Sequence, residues 1–156
     1  MDITDVVEFE IGGTHYALDI NLAREIVEMV PITPIPRAAS HIAGIINLRG
    51  EITTILNLNR LLGLPEKTNA ETRKIIILVS EAANGSNTGI IVDDVHSVLR
   101  VGRDDVVQMD ETMAKEAYVK GIIRASTDEK VTKTQDENLI IWIDLQKVIE
   151  EEVKKI

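Results

Sequence analysis

The side chains here that could do chemistry are few and scattered: three histidines, the aspartate pair Asp93-Asp94, and an arginine set in an apolar run. His15, His41 and His96 lie in separate segments, so a metal site would need the fold to bring Asp or Glu to them. The plainer assignment puts His15 and His96 at polar positions of hairpins or short helices and His41 in a loop. Asp93-Asp94 has the composition of an acid–base pair. Adjacent strand residues point to opposite faces, however, and a strand end with one Asp capping the next turn accounts for both. Asp19 occupies the equivalent place earlier in the chain, which argues for a structural role. There is no cysteine, hence no thiolate ligand, thiol nucleophile or disulfide. Neither Gly-x-Ser-x-Gly nor a glycine-rich phosphate loop occurs. No motif supports catalysis, and no cofactor is expected.

Arg49 is the remaining candidate. It interrupts HIAGIINLRGEITTILNL, residues 41–58. Were that run one continuous element, Arg49 would be a buried charge, which is costly without a partner. A turn at Arg49-Gly50, with glycine supplying the permissive φ, makes it a tip residue between two strands. In that arrangement Ile46, Leu48, Ile52 and Leu56 face inward, and Asn47, Arg49, Glu51 and Thr53 face outward. Ile55 also falls outward, where folding of this half alone does not explain it. Arg49 is then either a solvated residue paired with Glu51 or an interface anchor beside exposed apolar side chains.

The elements that must position these residues occur twice. Val7, Phe9 and Ile11 alternate, Gly12-Gly13 turns the chain, and Tyr16, Leu18 and Ile20 alternate back, a hairpin pattern. Asn21 caps a short turn, and residues 25–32 read as extended before Pro31, Pro34 and Pro36 exclude helix. After the Arg49 hairpin, LNLNRLLGL makes a short helix ended by Gly63 and Pro65. RKIIILVS and TGIIVDDVHSVLRV then repeat the order. YVKGIIRA answers HIAGIINL, and NLIIWIDLQKVI answers EITTILNLNRLL. Asp19 matches Asp93, Gly44 matches Gly121 and Leu58 matches Leu145, with a polar insertion at 126–138. About five strands per half predict a mainly β protein of two small five-stranded barrels side by side. Their expected limits are approximately 5–64 and 73–144, with a C-terminal helix over 145–155. That helix should pack by the stripe Leu145, Val148, Ile149 and Val153.

Composition narrows the function. The 156 residues carry a net charge of −9 and only one Trp, two Tyr and one Phe. Nucleic-acid binding calls for a basic footprint and usually stacking rings, so a nucleic-acid-binding barrel is the disfavoured alternative. Anionic membrane surfaces are disfavoured for the same reason. MDITDVVEFE lacks a signal peptide's basic and apolar regions, and no apolar run approaches the ~20 residues of a membrane span. A soluble, cytoplasmic protein is expected.

The segments YALDINLAREI, PITPIPRAASHIAGIINLRGEITTILNLNRLLGL, IILVSEAANGSNTGIIVDDVHSVLRV, YVKGII and LIIWIDLQKVI together resemble the CheW-like domain of bacterial and archaeal chemotaxis. The resemblance runs over residues 6–149. Gly-x-x-Asn-Leu-Arg-Gly and Val-Asp-x-Val are specific together and weak alone. It implies one CheW-like domain over 1–156, built of two SH3-like barrels and acting as a non-enzymatic adaptor. The implied partners are the regulatory domain of the histidine kinase CheA and the cytoplasmic tips of chemoreceptors, with no membrane insertion of its own. The chain has no room for a fused receiver or ATP-binding domain, so a stand-alone adaptor is expected. Carried over by position, Glu25 and Ile26 match a partner-contacting segment, and Asn47, Arg49 and Gly50 match the contact hairpin. Val92 and Asp93 match the second barrel's strand. Ala23, Thr54 and Asn57 depart from the pattern, standing where Val, Pro and Asp are usual.

Overall fold

The computed structural model describes residues 3–64, 72–83, 85–125 and 138–152. Among the described residues eleven strands form: β1 (Thr4–Ile11), β2 (Thr14–Asp19), β3 (Ala23–Glu28), β4 (Ile42–Leu48), β5 (Glu51–Asn57), β6 (Lys74–Leu78), β7 (Thr88–Val92), β8 (Asp94–Val101), β9 (Val106–Val107), β10 (Val119–Ala125) and β11 (Asn138–Ile143). Helices α1 (Leu58–Leu61), α2 (Glu111–Ala117) and α3 (Leu145–Glu152) accompany them. One sheet has the order β8-β1-β2-β11-β10-β9 and the other β3-β6-β7-β5-β4. The protein is mainly β, as two SH3-like barrels, the sixth strand of the first sheet being only two residues long.

The sheets do not divide the chain at the expected limits of 5–64 and 73–144. The first hairpin, β1–β2, sits between β8 and β11, and the hairpin β6–β7 of the second half sits between β3 and β5. Each barrel therefore takes its central hairpin from the other half. Repeat spacing reveals the order of elements but not this exchange, because a strand that pairs within its half and one that pairs outside it carry the same apolar pattern. The crossings are tight. Residues Ile20–Leu22 form one 3-10 turn between β2 and β3, and Asp93 alone separates β7 from β8.

Two-sided burial drives the exchange. Lys74–Leu78 reads KIIIL, and its four apolar residues are all buried. Ile75 and Ile77 point into one barrel with Ile46 and Ile55. Ile76 and Leu78 join a larger core with Phe9, Leu18 and Ile143. β1 does the same in reverse, Val6 entering the other barrel with Ile123 and Ile140, and Val7 the shared core. A strand covered on both faces has a continuous apolar run rather than an alternating one. Leu145, Val148 and Ile149 of α3 close the shared core, as the stripe predicts; Val153 lies outside the described residues.

Gly44 and Gly121 are equivalent in the repeat and explain why glycine recurs there. Each lies at a register shift in its hairpin. At Gly44 a Cβ would fall 2.2 Å from the carbonyl oxygen of Thr33, and at Gly121 one would fall 2.4 Å from Cγ1 of Val106. Thr33 bridges Ile45 beside β4, and Val106 belongs to β9 beside β10. The missing side chain admits one further short extended segment at the same edge of each barrel.

Candidate functional site

The turn at Arg49-Gly50 forms as expected, but both residues adopt positive φ, 50° and 88°. This is the primed two-residue turn that suits the twist of paired strands, and it ordinarily favours Asn or Gly at both positions. Arginine in the left-handed region is uncommon, and such strain concentrates where a side chain has a task. Asn47 supports the turn by accepting a hydrogen bond from the Gly50 amide, 2.8 Å.

Register decides what the tip presents. Leu48 pairs with Glu51, Asn47 with Ile52 and Ile46 with Thr53. Directly paired residues share a face, so Ile46, Thr53 and Ile55 point inward while Asn47 and Ile52 point outward. The expected assignment of Ile52 inward and of Thr53 and Ile55 outward is therefore corrected by one residue. Ile55 is fully buried and Ile52 is 59% exposed. A two-residue turn fixes this parity, and the uniformly apolar run concealed it.

The tip meets β3 across the open side of the barrel. Arg49 is paired with Glu25 through its Nη2, and Arg24 lies 3.7 Å from Glu51. Arg49 thus pairs with Glu25 rather than with Glu51. The hydrogen bond from Arg49 holds Glu25 below the usual glutamate range, and the charges of Arg49 and Arg24 act in the same direction. The same bond raises Arg49 above its ordinary value. Two arginines and two glutamates alternate here without net charge. Ile26, next along β3, is 43% exposed and Ile52, next along β5, more so. Paired charges flanked by exposed isoleucines form a surface suited to a protein partner, since such patches combine burial with orientation. Nothing in this cluster resembles a nucleophile with its base.

Four of the seven candidate residues, Glu25, Asn47, Arg49 and Gly50, come together at this tip, and Ile26 adjoins it. Val92 and Asp93 do not join them. Val92 is 1% exposed in the shared core. The Oδ2 of Asp93 accepts a hydrogen bond from the Gly12 amide at 2.7 Å, fastening the β1–β2 turn to the crossing between sheets. Asp19 at the other crossing accepts from Trp142 Nε1, 2.7 Å, and Lys120 Nζ, 3.1 Å. The matching aspartates thus serve the architecture. Sequence reasoning missed Arg24 and Ile52, whose roles depend on cross-barrel contact and hairpin parity.

A second feature lies where the barrels meet. A mostly apolar cavity of about 230 Å³ is lined by Tyr16, Leu61, Leu62, Leu64, Tyr118 and Ile141 among others. Its size suits a few side chains of a partner rather than a whole helix.

The CheW-like domain model matches residues 5–153. The chain belongs to the CheW-like domain family. It is 29% identical to the chemotaxis protein CheW of Thermotoga maritima over 149 residues, covering 94% of this chain and 88% of that protein. It is 32% identical to the chemotaxis protein CheW of Treponema pallidum, over 78% of this chain and 74% of that one. Among solved structures, the scaffolding protein TtCheW of Thermoanaerobacter tengcongensis superposes with a TM-score of 0.75 at 30% identity. That match covers 95% of this chain and 88% of TtCheW.

Proposed function

We propose that this chain is a non-enzymatic chemotaxis adaptor that couples the cytoplasmic tips of chemoreceptors to the regulatory domain of the histidine kinase CheA. The relatives that cover nearly its whole length are named as chemotaxis proteins, and the structural neighbour as a scaffolding protein. The observation that carries the reading is the Arg49 tip: a strained arginine, aligned by Glu25, flanked by exposed Ile26 and Ile52 on a rigid barrel. A kinase domain would cover the isoleucines while the fixed guanidinium sets its orientation. The apolar cavity between the barrels would take anchoring side chains from a receptor's helical hairpin, in the manner of helix-in-groove recognition. Occupying both surfaces at once is what coupling requires. Such an adaptor works at receptor arrays on the cytoplasmic side. Among the described residues no helix is long and apolar enough to cross a membrane, and attachment would come through partners.

The test is calorimetric titration with the regulatory domain of a CheA kinase from the same source, using wild type and Arg49→Glu. Micromolar or tighter binding is expected, weakened at least about tenfold by the substitution, as for an interface anchor. The thermal midpoint should stay nearly unchanged, as for an exposed ion pair. Unaltered binding would move the kinase contact away from Arg49. No binding by wild type at high concentration would defeat the adaptor reading.

A further inference from the structure

Two of the three histidines that look isolated in sequence, His15 and His96, converge in space. Glu10 on β1 pairs with His15 on β2, and β8, on the other flank of β1, carries His96. Glu8 and Glu10 alternate with the fully buried Phe9 and so share with Val6 the face of β1 turned away from the shared core. His96 Nε2 lies 3.0 Å from Glu10 Oε1, and His15 Nε2 lies 4.0 Å from the same oxygen. One ligand atom from each of the three residues falls within 4.8 Å of the others. The two imidazoles lie nearly parallel, 17° apart, with ring centres 4.9 Å apart.

We infer that Glu10, His15 and His96 form a site for a zinc-class transition-metal ion. A tetrahedral ion with bonds of about 2.0–2.1 Å holds neighbouring ligand atoms about 3.3 Å apart. Two of the separations lie on either side of that figure, and modest rotations of half-exposed side chains bring the set together. A fourth side chain supplies the support that metal-binding histidines usually have. Glu8 Oε2 lies 2.6 Å from His15 Nδ1 and, as a carboxylate, accepts a hydrogen bond from that nitrogen in the Nδ1–H form of the ring. In neutral His15 that bond leaves Nε2 with its lone pair, directed toward the carboxylate of Glu10. A cation there would engage that lone pair and the Glu10 oxygen and take the place of the proton through which His96 Nε2 now bonds Glu10, His96 keeping its proton on Nδ1. Two imidazoles and one carboxylate favour Zn²⁺ and its neighbours over Mg²⁺ or Ca²⁺, which prefer sets composed of oxygen. Water completes the coordination. The ion would clamp β2, β1 and β8, joining strands of both halves of the repeat. The site lies on the opposite sheet from the Arg49 tip.

The test uses the full chain without an affinity tag. Zn²⁺ is titrated by calorimetry, and Co²⁺ by its visible absorption, into wild type, His96→Gln, His15→Gln and Glu8→Gln. Wild type should take up one ion, with the ligand-field bands of a four-coordinate site for Co²⁺. Saturating Zn²⁺ should raise its thermal midpoint by roughly 5 °C. Loss of either histidine should weaken binding at least tenfold. Glu8→Gln, which keeps all three ligands, should weaken it about tenfold through the supporting bond alone. His96 lies on the surface, so its replacement should leave the metal-free midpoint unmoved. The inference is overturned if wild type shows no one-to-one uptake, if His96→Gln binds as wild type does, or if Mg²⁺ competes equally.

Discussion

Replacing Gly44 by alanine should be among the most damaging one-carbon changes in this protein. Its φ is +149°, a region L-residues rarely adopt, and the added Cβ would sit 2.2 Å from the Thr33 carbonyl oxygen and 2.7 Å from Ile32 Cγ2. Backbone strain of this kind costs about 1–3 kcal/mol. The Thr33 segment must also retreat, which breaks the reciprocal hydrogen bonds between Thr33 and Ile45, both 2.9 Å. At about 1 kcal/mol each, the total comes to about 4 kcal/mol, a large share of an ordinary domain's stability. The midpoint should fall by about 12 °C for a chain of this length. Urea unfolding followed by Trp142 fluorescence, with calorimetry beside it, would measure both. Gly63→Ala is the control. It has φ +70° and open space around the new carbon, so only the backbone cost, about 1 kcal/mol, should remain. Gly121→Ala should fall between them, because the atom it meets is a side-chain methyl that can turn aside. Equal losses for Gly44→Ala and Gly63→Ala would show that the Thr33 segment does not pack as described, and the account of both glycines would fail.

Other consequences can be checked independently. Ile55→Ala should cost about 2–5 kcal/mol and Ile52→Ala less than about 0.5 kcal/mol; denaturant titration that reversed this order would refute the hairpin register. The Glu25 carboxylate, followed by NMR, should titrate below its ordinary value of 4.5 and rise toward that value in Arg49→Ala, where Arg24 alone remains to lower it. Its depressed pKa means the pairing contributes fully above about pH 4.5 and is lost as pH falls through the folded value. Tyr118 behaves oppositely. Its hydroxyl donates to Glu152 Oε2 at 2.6 Å, and this bond, with burial adding to it, pushes its pKa from 10 up to about 12. Stability from that bond should be fully present below pH 10 and disappear as pH rises through about 12, a phase that Tyr118→Phe should lack when the two are unfolded side by side.

Local patterns in the sequence were sufficient where neighbours along the chain decide the structure. The Gly12-Gly13 hairpin, the turn at Arg49-Gly50 and the α3 stripe all follow from residues within a few positions of one another. The proline segment excluded helix for equally local reasons. What the pattern did not carry was pairing across distance. Exchange of the β1–β2 and β6–β7 hairpins leaves no local mark, since a strand buried on both faces has the same apolar run whichever barrel receives it. Ile55 and Ile52 were assigned to the wrong faces because apolar residues occupy both faces of β5, and only the pairing of Leu48 with Glu51 settles the parity. α2 lies outside the sequence expectation although its start carries a signal, Asp110, which accepts a hydrogen bond from the Thr112 amide; its end carries none, because Tyr118 stands in the left-handed position that Gly or Asn usually fills. The histidine cluster was invisible because its members lie on three strands joined by register rather than by spacing.

The exchanged hairpins bear on how an adaptor of this kind could work. Separating the barrels would strip β1 and β2 from between β8 and β11, or β6 and β7 from between β3 and β5, leaving unpaired backbone edges on four strands. It would also open the core that Phe9, Leu18, Ile76, Ile90 and Leu145 share. Each of these losses costs several bonds or a large buried area, so the two barrels should behave as one body rather than as beads on a linker. Asp19 and Asp93 reinforce the two crossings by binding Trp142 and Lys120 on one side and the Gly12 amide on the other. A partner at the Arg49 tip and another at the cavity between the barrels would then be held at a fixed relative orientation. That rigidity favours transmission by geometry: a partner that rotates would carry the other with it, because among the described residues the barrels are joined by exchanged strands and one shared core.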